Sequence, residues 1–361
     1  MIVIADDITG AAEMAGIAFC QGQQVRLVCG GSVCGCGTAT YGTTVIATDT
    51  RSMSEAEAVA ETHCITSAFI HHTSAIYKKT DSALRGHVVA ELSALMEATG
   101  YQRAVYLPAN PSKGRIIKNG TYYINDVPIS ETAFSYDPEF PAKTSVLRER
   151  FPDAESKGII MPNAENEADI EKALAKYNDG KTLFAGAADL FSAVLRNSND
   201  SSIASTTSLS SITSPSTLIL CGSTQSKALD LGIPIAPMPR EIYDGNEDLS
   251  LWDTSVYQET HSLILTMPYI HRTGKEAAVH LRCMMAQKAK ELITQQCPDH
   301  LIIEGGATAW ATLQALGWTQ FEIVAQIAPG VVQMNATNGT LVTLKPGSYP
   351  WGNLFSSSAN T

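Results

Sequence analysis

The sequence predicts an α/β protein of two domains, each a mostly parallel sheet flanked by helices. Three observations lead there. Over the first ~200 residues apolar runs alternate with amphipathic stretches, the rhythm of strand and covering helix. From Asn197 to Ser216 serine and threonine dominate, a composition that packs no core and reads as a linker or exposed loop. At Thr217-Leu218-Ile219-Leu220-Cys221 the apolar pattern restarts. A chain of 361 residues also exceeds the size at which one core usually keeps growing. The expected domains are residues 1–215 and 216–361.

The expected strands can be taken in order. Ile2 to Ala5 ends in Asp6-Asp7, and Ile8-Thr9-Gly10-Ala11 opens a helix. Asp7 or Thr9 could cap that helix, but a single cap does not account for two carboxylates at a sheet's carboxyl end, where α/β proteins bind ligands. Val25 to Val28 is the second strand. Thr44 to Thr48 is the third, followed by Asp49-Thr50-Arg51-Ser52 and a helix with a Ser54/Glu57 capping box. The box leaves Arg51 unexplained, and an arginine there suits bidentate recognition of a carboxylate.

Ala75 to Tyr77 leads into Lys78-Lys79-Thr80-Asp81-Ser82-Ala83-Leu84-Arg85-Gly86-His87, with helical spacing from Val88. No local structure requires this polar cluster, and a strand end facing a helix start suits a small anion. Ala104 to Leu107 precedes Pro108-Ala109-Asn110-Pro111-Ser112-Lys113-Gly114-Arg115, where proline and glycine read equally well as a turn. In the second half, Leu301-Ile302-Ile303-Glu304 ends in Gly305-Gly306-Ala307-Thr308; Gly222-Ser223-Thr224 and Lys345-Pro346-Gly347 close two other segments. Gly-Gly alone is an ordinary turn, but three such loops point to nucleotide binding through backbone N–H groups and helix N-termini. Gly180-Lys181-Thr182 imitates a P-loop end only by coincidence, since Ala175 stands where the first glycine belongs and a strand follows rather than precedes.

With 25 basic and 36 acidic side chains the net charge is −11, which argues against nucleic acid or an anionic membrane as partner. No apolar run approaches the ~20 residues that span a bilayer, and the N-terminus lacks a basic leader, so a cytoplasmic location is expected. The eight cysteines are scattered; Cys29, Cys34 and Cys36 read as buried or incidental thiols ahead of a zinc site. His71, His72 and His87 are assigned no metal. A homodimer stays open.

In order and spacing, ADDITGA at 5–11, DTRS at 49–52, KKTDSALRG at 78–86, the PANPSKGR segment with Asn119-Gly120, GST at 222–224 and GGATA at 305–309 resemble the four-carbon acid sugar kinase family. The resemblance covers nearly the whole chain and implies a sugar-acid-binding domain at 1–215 and a nucleotide-binding domain at 216–361, with phosphoryl transfer from ATP. Matched position by position, it implies acid contacts at Asp7, Arg51, Lys79, Thr80, Asp81 and Ser82, and ATP contacts at Ser223, Gly305, Gly306, Ala307, Thr308 and Gly347. The family's last block usually reads Lys-x-Gly-Gly-Phe-Gly; this chain departs from it with Lys345-Pro346-Gly347-Ser348-Tyr349-Pro350-Trp351-Gly352.

A kinase of this kind must neutralise the acid's carboxylate, orient its terminal hydroxyl and stabilise a transferring phosphoryl group with Mg²⁺ and cations. Arg51 and Lys79 are available for the carboxylate. Asp81 or Asp7 would accept the hydroxyl proton, unranked, and Arg85 or Lys79 would face the phosphate; no metal ligands are assigned. Two rivals remain: a Mg²⁺-dependent phosphate-handling hydrolase using Asp6 and Asp7, and a sugar-acid sensor whose altered C-terminal block has lost transfer.

Overall fold

Buried β-branched and aliphatic residues form the strands, and short side chains let helices lie close against them. In the first helix, Ala11, Ala12, Ala15 and Ala18 are buried against the sheet. The computed structural model describes residues 1–30, 42–69, 75–137, 139–198, 216–223, 229–268, 274–347, 349–351 and 354–355. Chain contacts separate two units, Met1–Ala204 and Ser205–Thr361. The expected boundary near residue 215, most of the serine- and threonine-rich stretch, Cys34, Cys36, His71, His72 and Thr224 lie outside the described residues.

Unit 1 runs β1 (Ile2–Ala5), α1 (Ile8–Cys20), β2 (Val25–Cys29), β3 (Thr43–Ala47), α2 (Glu55–Phe69), β4 (Ile76–Lys79), α3 (Val88–Thr99), β5 (Arg103–Leu107), β6 (Arg115–Lys118), β7 (Thr121–Ile124), β8 (Val127–Pro128), α4 (Leu147–Arg150), β9 (Ile159–Ile160), α5 (Glu167–Tyr177), β10 (Thr182–Gly186) and α6 (Ala188–Ser198). Its main sheet has the order β2-β3-β1-β4-β10-β5-β9, and every pairing is parallel. Every residue of β1, β2 and β3 is buried, as expected of a sheet covered on both faces. From β1 the chain proceeds towards β2 and β3; from β4 it proceeds towards β5 on the other side. Strands β1 and β4 therefore flank a topological switch point, the place where such sheets open a crevice at their carboxyl ends.

The fourth strand runs past the expected Ala75–Tyr77 to include Lys78 and Lys79. Side chains alternate along a strand, so the two lysines face opposite sides of the sheet. Lys78 is 1% exposed and ion-paired with Glu91 of α3. That pair places a charged residue inside a strand that composition alone would end earlier.

A second sheet was not foreseen. Strands β6, β7 and β8 form an antiparallel meander. Its turns are Asn119-Gly120 (φ 49° and 73°) and Asn125-Asp126 (φ 49° and 65°). Positive φ at both central positions matches the twist of a tight hairpin and favours Asn, Asp and Gly.

Unit 2 contains β11 (Thr217–Cys221), β12 (Ile235–Pro237), α7 (Arg240–Tyr243), α8 (Val256–Thr260), β13 (Ser262–Thr266), α9 (Lys275–Gln295), β14 (His300–Glu304), α10 (Gly306–Leu316), β15 (Gln320–Ala328), β16 (Val331–Ala336) and β17 (Leu341–Lys345). Its strands lie in the order β12-β13-β11-β14-β17-β16-β15. The first five are parallel, and β16 and β15 complete the sheet antiparallel. Ile219, Cys221, Ile264, Ile302 and Leu354 form a buried core cluster, with Trp351 and Phe355 packed against it. Among the described residues no helix is long and apolar enough to cross a membrane.

Candidate active site

In unit 1 the carboxyl ends of β1, β3 and β4 bring Asp6, Asp7, Arg51, Lys79 and Asp81 together. Asp7 caps α1, accepting the Gly10 N–H at 2.9 Å. Thr9 donates its hydroxyl to the same carboxylate. Arg51 stands on a short 3-10 turn, Thr50–Ser52, entered through Asp49 at φ 56°. Its Nε and Nη2 both donate to Asp6 Oδ2, at 3.0 and 2.9 Å, and Nη1 donates to Asp7 Oδ2 at 3.2 Å. Asp81 Oδ1 lies 3.8 Å from Arg51 Nη2. One guanidinium thus gathers three carboxylates, and all three of its nitrogens have acceptors on the protein itself.

Asp81 is also gripped by Arg85, with Nε to Oδ2 at 2.7 Å and Nη2 to Oδ1 at 3.2 Å, and its Oδ2 accepts the Ala83 N–H at 3.2 Å. The turn that brings Arg85 back onto Asp81 places Leu84 at φ 63° and Gly86 at φ 92°. A Cβ at Gly86 would sit 3.5 Å from Asp6 Oδ2 in a conformation that L side chains rarely adopt. Gly10 is needed for space: a Cβ there would come within 2.6 Å of Asp7 Oδ1 and 3.1 Å of Lys79 Nζ.

The three aspartates are tuned differently. Burial pushes the Asp6 carboxyl up and outweighs the opposing pull of Arg51. Burial also opposes ionisation of Asp7, but Arg51 and Lys79 hold its carboxyl below the usual range. For Asp81 burial is overcome by Arg51 and Arg85, leaving it well below the usual range. Asp7 and Asp81 are therefore ionised carboxylates near neutral pH. Asp6 is 2% exposed, gives Oδ2 to Arg51, and has an Oδ1 that is buried without a partner. Its burial behind Arg51 argues against the paired-aspartate hydrolase, which needs both carboxylates open to the substrate.

Lys79 donates to the Thr80 carbonyl at 2.9 Å, and its Nζ lies 3.9 Å from Glu13 Oε2. Glu13 also pairs with Lys113. Ser82 receives a hydrogen bond from Arg115, and its carbonyl accepts the Tyr122 hydroxyl, which also reaches the Pro108 carbonyl at 3.1 Å. The Phe134 ring lies 5.9 Å from both the Arg85 and the Arg115 guanidinium carbons, and Arg85 Nη1 is 3.6 Å from Asp137. Glu13, Tyr122, Phe134 and Asp137 belong to no motif read from the sequence, and Arg115 enters there only as the end of the PANPSKGR segment at 108–115, with no role of its own. The Asn-Gly and Asn-Asp turns that shape the meander were the available signal for the segment carrying Arg115 and Tyr122.

Two expected features prove to have structural roles. Lys78 is absorbed by Glu91, which also accepts the Thr50 hydroxyl at 2.9 Å. Thr50 contacts the Thr48 hydroxyl at 2.9 Å, and Thr48 donates to the Ala5 carbonyl at 2.9 Å. This buried chain ties β4, α3 and β1 to the turn that carries Arg51. His87 contacts the Met53 carbonyl through Nε2 at 2.8 Å.

In unit 2, β11, β14 and β17 are neighbours, so the loops after them converge. A Cβ on Gly347 would fall 2.2 Å from Ser223 Oγ, and one on Gly222 would fall 2.0 Å from Thr308 Oγ1. A Cβ on Gly305 would lie 3.6 Å from the Ser223 nitrogen. Ser223, Gly305, Thr308 and Gly347 are thus brought to one place, with Gly306 and Ala307 opening α10. The start of α10 has Gly305 at its cap, no capping side chain and no acidic residue in its first turn. Its first N–H groups and the positive end of the helix dipole suit phosphate oxygens. The basic residue of the last loop is spoken for: Lys345 is 3% exposed and ion-paired with the equally buried Glu304. It also donates to the Gly347 carbonyl at 3.2 Å, and Nζ lies 4.7 Å from the Trp351 ring centre. Ser348 and Gly352 lie outside the described residues.

Comparison with known proteins follows this division. A family model described as a sugar-binding N-terminal domain matches residues 1–155, and one described as a nucleotide-binding C-terminal domain matches residues 266–349. The D-threonate kinase of Salmonella typhimurium is 33% identical over 151 residues, 41% of this chain and 35% of that protein. The chain thus aligns with about a third of that relative's length. The 3-oxo-tetronate kinase of Brucella melitensis is 25% identical over 411 residues, 96% of this chain and 92% of that protein. A solved Haemophilus influenzae protein of the DUF1537 family has the same fold, with a TM-score of 0.71, 98% of each chain covered and 20% identity.

The two family matches describe a protein with a sugar-binding N-terminal domain and a nucleotide-binding C-terminal domain. The chain belongs to the four-carbon acid sugar kinase family.

Proposed function

We propose that this protein transfers a phosphoryl group from ATP to the terminal hydroxyl of a four-carbon sugar acid of the threonate, erythronate or 3-oxo-tetronate type. The observation that carries the reading is the pair of ionised carboxylates, Asp7 and Asp81, held on Arg51 at the carboxyl ends of β1 and β4. Hydroxyl activation needs a carboxylate within hydrogen-bond reach of the reacting proton, and two ionised carboxylates at this end of the sheet support such a role for either. Lys79 and Arg85 supply positive charge beside them. The names of the relatives support the same chemistry: D-threonate, D-erythronate and 3-oxo-tetronate kinases.

In unit 2 the Ser223, Gly305-Gly306-Ala307-Thr308 and Gly347 loops suit a nucleotide's phosphates, because the start of α10 has no side-chain cap and the glycines let the loops approach closely, while the Gly305 N–H is itself held by the Lys345 carbonyl at 2.9 Å. Mg²⁺ would be held largely by the nucleotide's phosphates and would supply positive charge against the transferring phosphoryl group. It needs no cage of three protein ligands, and none is found among the described residues.

The test is ADP formation with Mg²⁺–ATP across a panel of four-carbon sugar acids, with mass spectrometry of the product. A phosphorylated acid for one panel member is the expected result. Acid binding without ATP binding would move the reading to a sensor, and phosphate release without ADP to a hydrolase.

A further inference from the structure

We propose that Arg115 receives the carboxylate of the acid substrate. The inference rests on the kinase reading above and assigns its acid recognition to a residue other than Arg51. Charge pairing around the site separates Arg115 from the other cations. Arg51 is shared by Asp6, Asp7 and Asp81. Arg85 pairs with Asp81 and Asp137. Lys79 and Lys113 both face Glu13, and Lys78 is matched by Glu91. Arg150 is consumed by the carbonyls of Leu84, Phe140 and Pro141.

Arg115 is different. Its Nη1 donates to the Ser82 hydroxyl and its guanidinium lies over Phe134, but among the described residues no carboxylate pairs with it. It is only half-buried, so one face of the fork stays open. A partly desolvated cation without a counter-ion gains most from an anionic ligand, and a planar guanidinium matches a carboxylate in two parallel hydrogen bonds.

Its placement is firm. Asn110 and Arg115 exchange backbone hydrogen bonds at 2.7 and 3.1 Å across a tight turn. That turn needs Gly114 at φ 65°, where a Cβ would fall 2.1 Å from Asn125 Oδ1. Tyr122, one strand over, holds the Ser82 carbonyl and so joins the loop after β4 to the meander. Arg115 therefore reaches the residue next to Asp81 from a rigid base. An acid whose carboxylate sits on Arg115 has its carbon chain beginning beside Ser82.

The experiment compares wild type, Arg115→Met, Arg115→Lys and Ser82→Ala. Calorimetric binding of D-threonate and D-erythronate, without ATP, reads the residue independently of turnover. Arg115→Met should weaken acid binding by about 30-fold or more, Arg115→Lys less, and Ser82→Ala by a smaller factor in the same direction. The second readout is turnover of the acid against the neutral polyol of the same carbon skeleton. Arg115→Met should raise KM for the acid more than it lowers kcat and erase the preference for acid over polyol, with KM for ATP unchanged. A merely structural role would depress both substrates alike. Equal acid affinity in wild type and Arg115→Met overturns the proposal, as does absence of acid binding by wild type. A wild type that binds acid through Arg115 but forms no ADP would overturn only the kinase reading.

Discussion

Arg51 gives two of its nitrogens to a single oxygen of Asp6, while the other oxygen of that carboxylate is buried with no partner. Asp6 acts as a backstop: it fixes the guanidinium from behind so that the remaining N–H groups point at Asp7 and Asp81. Removing Asp6 leaves Arg51 paired with Asp7 and Asp81 but takes away the acceptor of its Nε, and a donor left unsatisfied away from water costs about 1–3 kcal/mol. Asp6→Ala should therefore lower stability by about 1–3 kcal/mol in urea unfolding. It should also reduce kcat/KM, since Arg51 is no longer held from behind. Unchanged stability would mean that Asp7 and Asp81 suffice to hold Arg51.

The pH dependence follows from the directions of the carboxyl shifts. Asp7 and Asp81 have folded-state values below the ordinary 3.8. Their contribution to stability is present above pH 3.8 and is lost as pH falls through the folded values. Asp6 is raised, so its contribution has the opposite sign and declines as pH rises above 3.8. Asp81→Asn should accordingly flatten the acid side of the stability curve and leave its neutral side parallel to wild type. If either ionised aspartate is the base, kcat/KM should show no acidic limb between about pH 5 and 8. A limb near pH 6 would point to another group.

Lys78 and Glu91 test the buried chain behind the Arg51 turn. Lys78→Met leaves Glu91 buried and unpaired and should cost about 3–5 kcal/mol. Adding Glu91→Leu should restore more than half of that, since a well-packed apolar pair can replace an ion pair. Chemical denaturation of the two single variants and the double variant measures it, and additive losses would show that the two residues do not act as a pair.

Much of this architecture can be read in the residues, for identifiable reasons. Ile2–Ala5 is apolar on both faces and ends in two aspartates, so both the strand and the carboxylate position follow locally. The meeting of Ser223 with Gly347 does not follow locally, because it depends on β11 and β17 both flanking β14. The pairing of Lys78 with Glu91 spans a loop and a helix turn; from sequence both lysines look equally available. The same holds for Arg51, whose three carboxylates come from the loops after β1 and β4. Sequence shows which charged residues are present, but only the fold shows which of them neutralise one another.

Gly347 offers the sharpest test of the nucleotide side. Gly347→Ala would drive a methyl group to 2.2 Å from Ser223 Oγ and 2.8 Å from its Cβ. ATP affinity should fall by about tenfold or more, as expected when close backbone approach is lost. Adding Ser223→Gly should relieve the clash. Sugar-acid binding should be unaffected in both variants. Titration with ATP and with acid separates these effects, and an ATP affinity unchanged by Gly347→Ala would remove this loop from the nucleotide site.

The Trp351 ring lies against the Lys345 ammonium, whose proton donors also hold the Gly347 carbonyl. An indole's emission depends on the charge beside it, so this tryptophan works as an intrinsic optical probe. Any ligand that shifts the Gly347 loop changes the field that Trp351 experiences. Occupancy of the second unit can then be followed by fluorescence in the unlabelled protein, with Trp351→Phe as the blank.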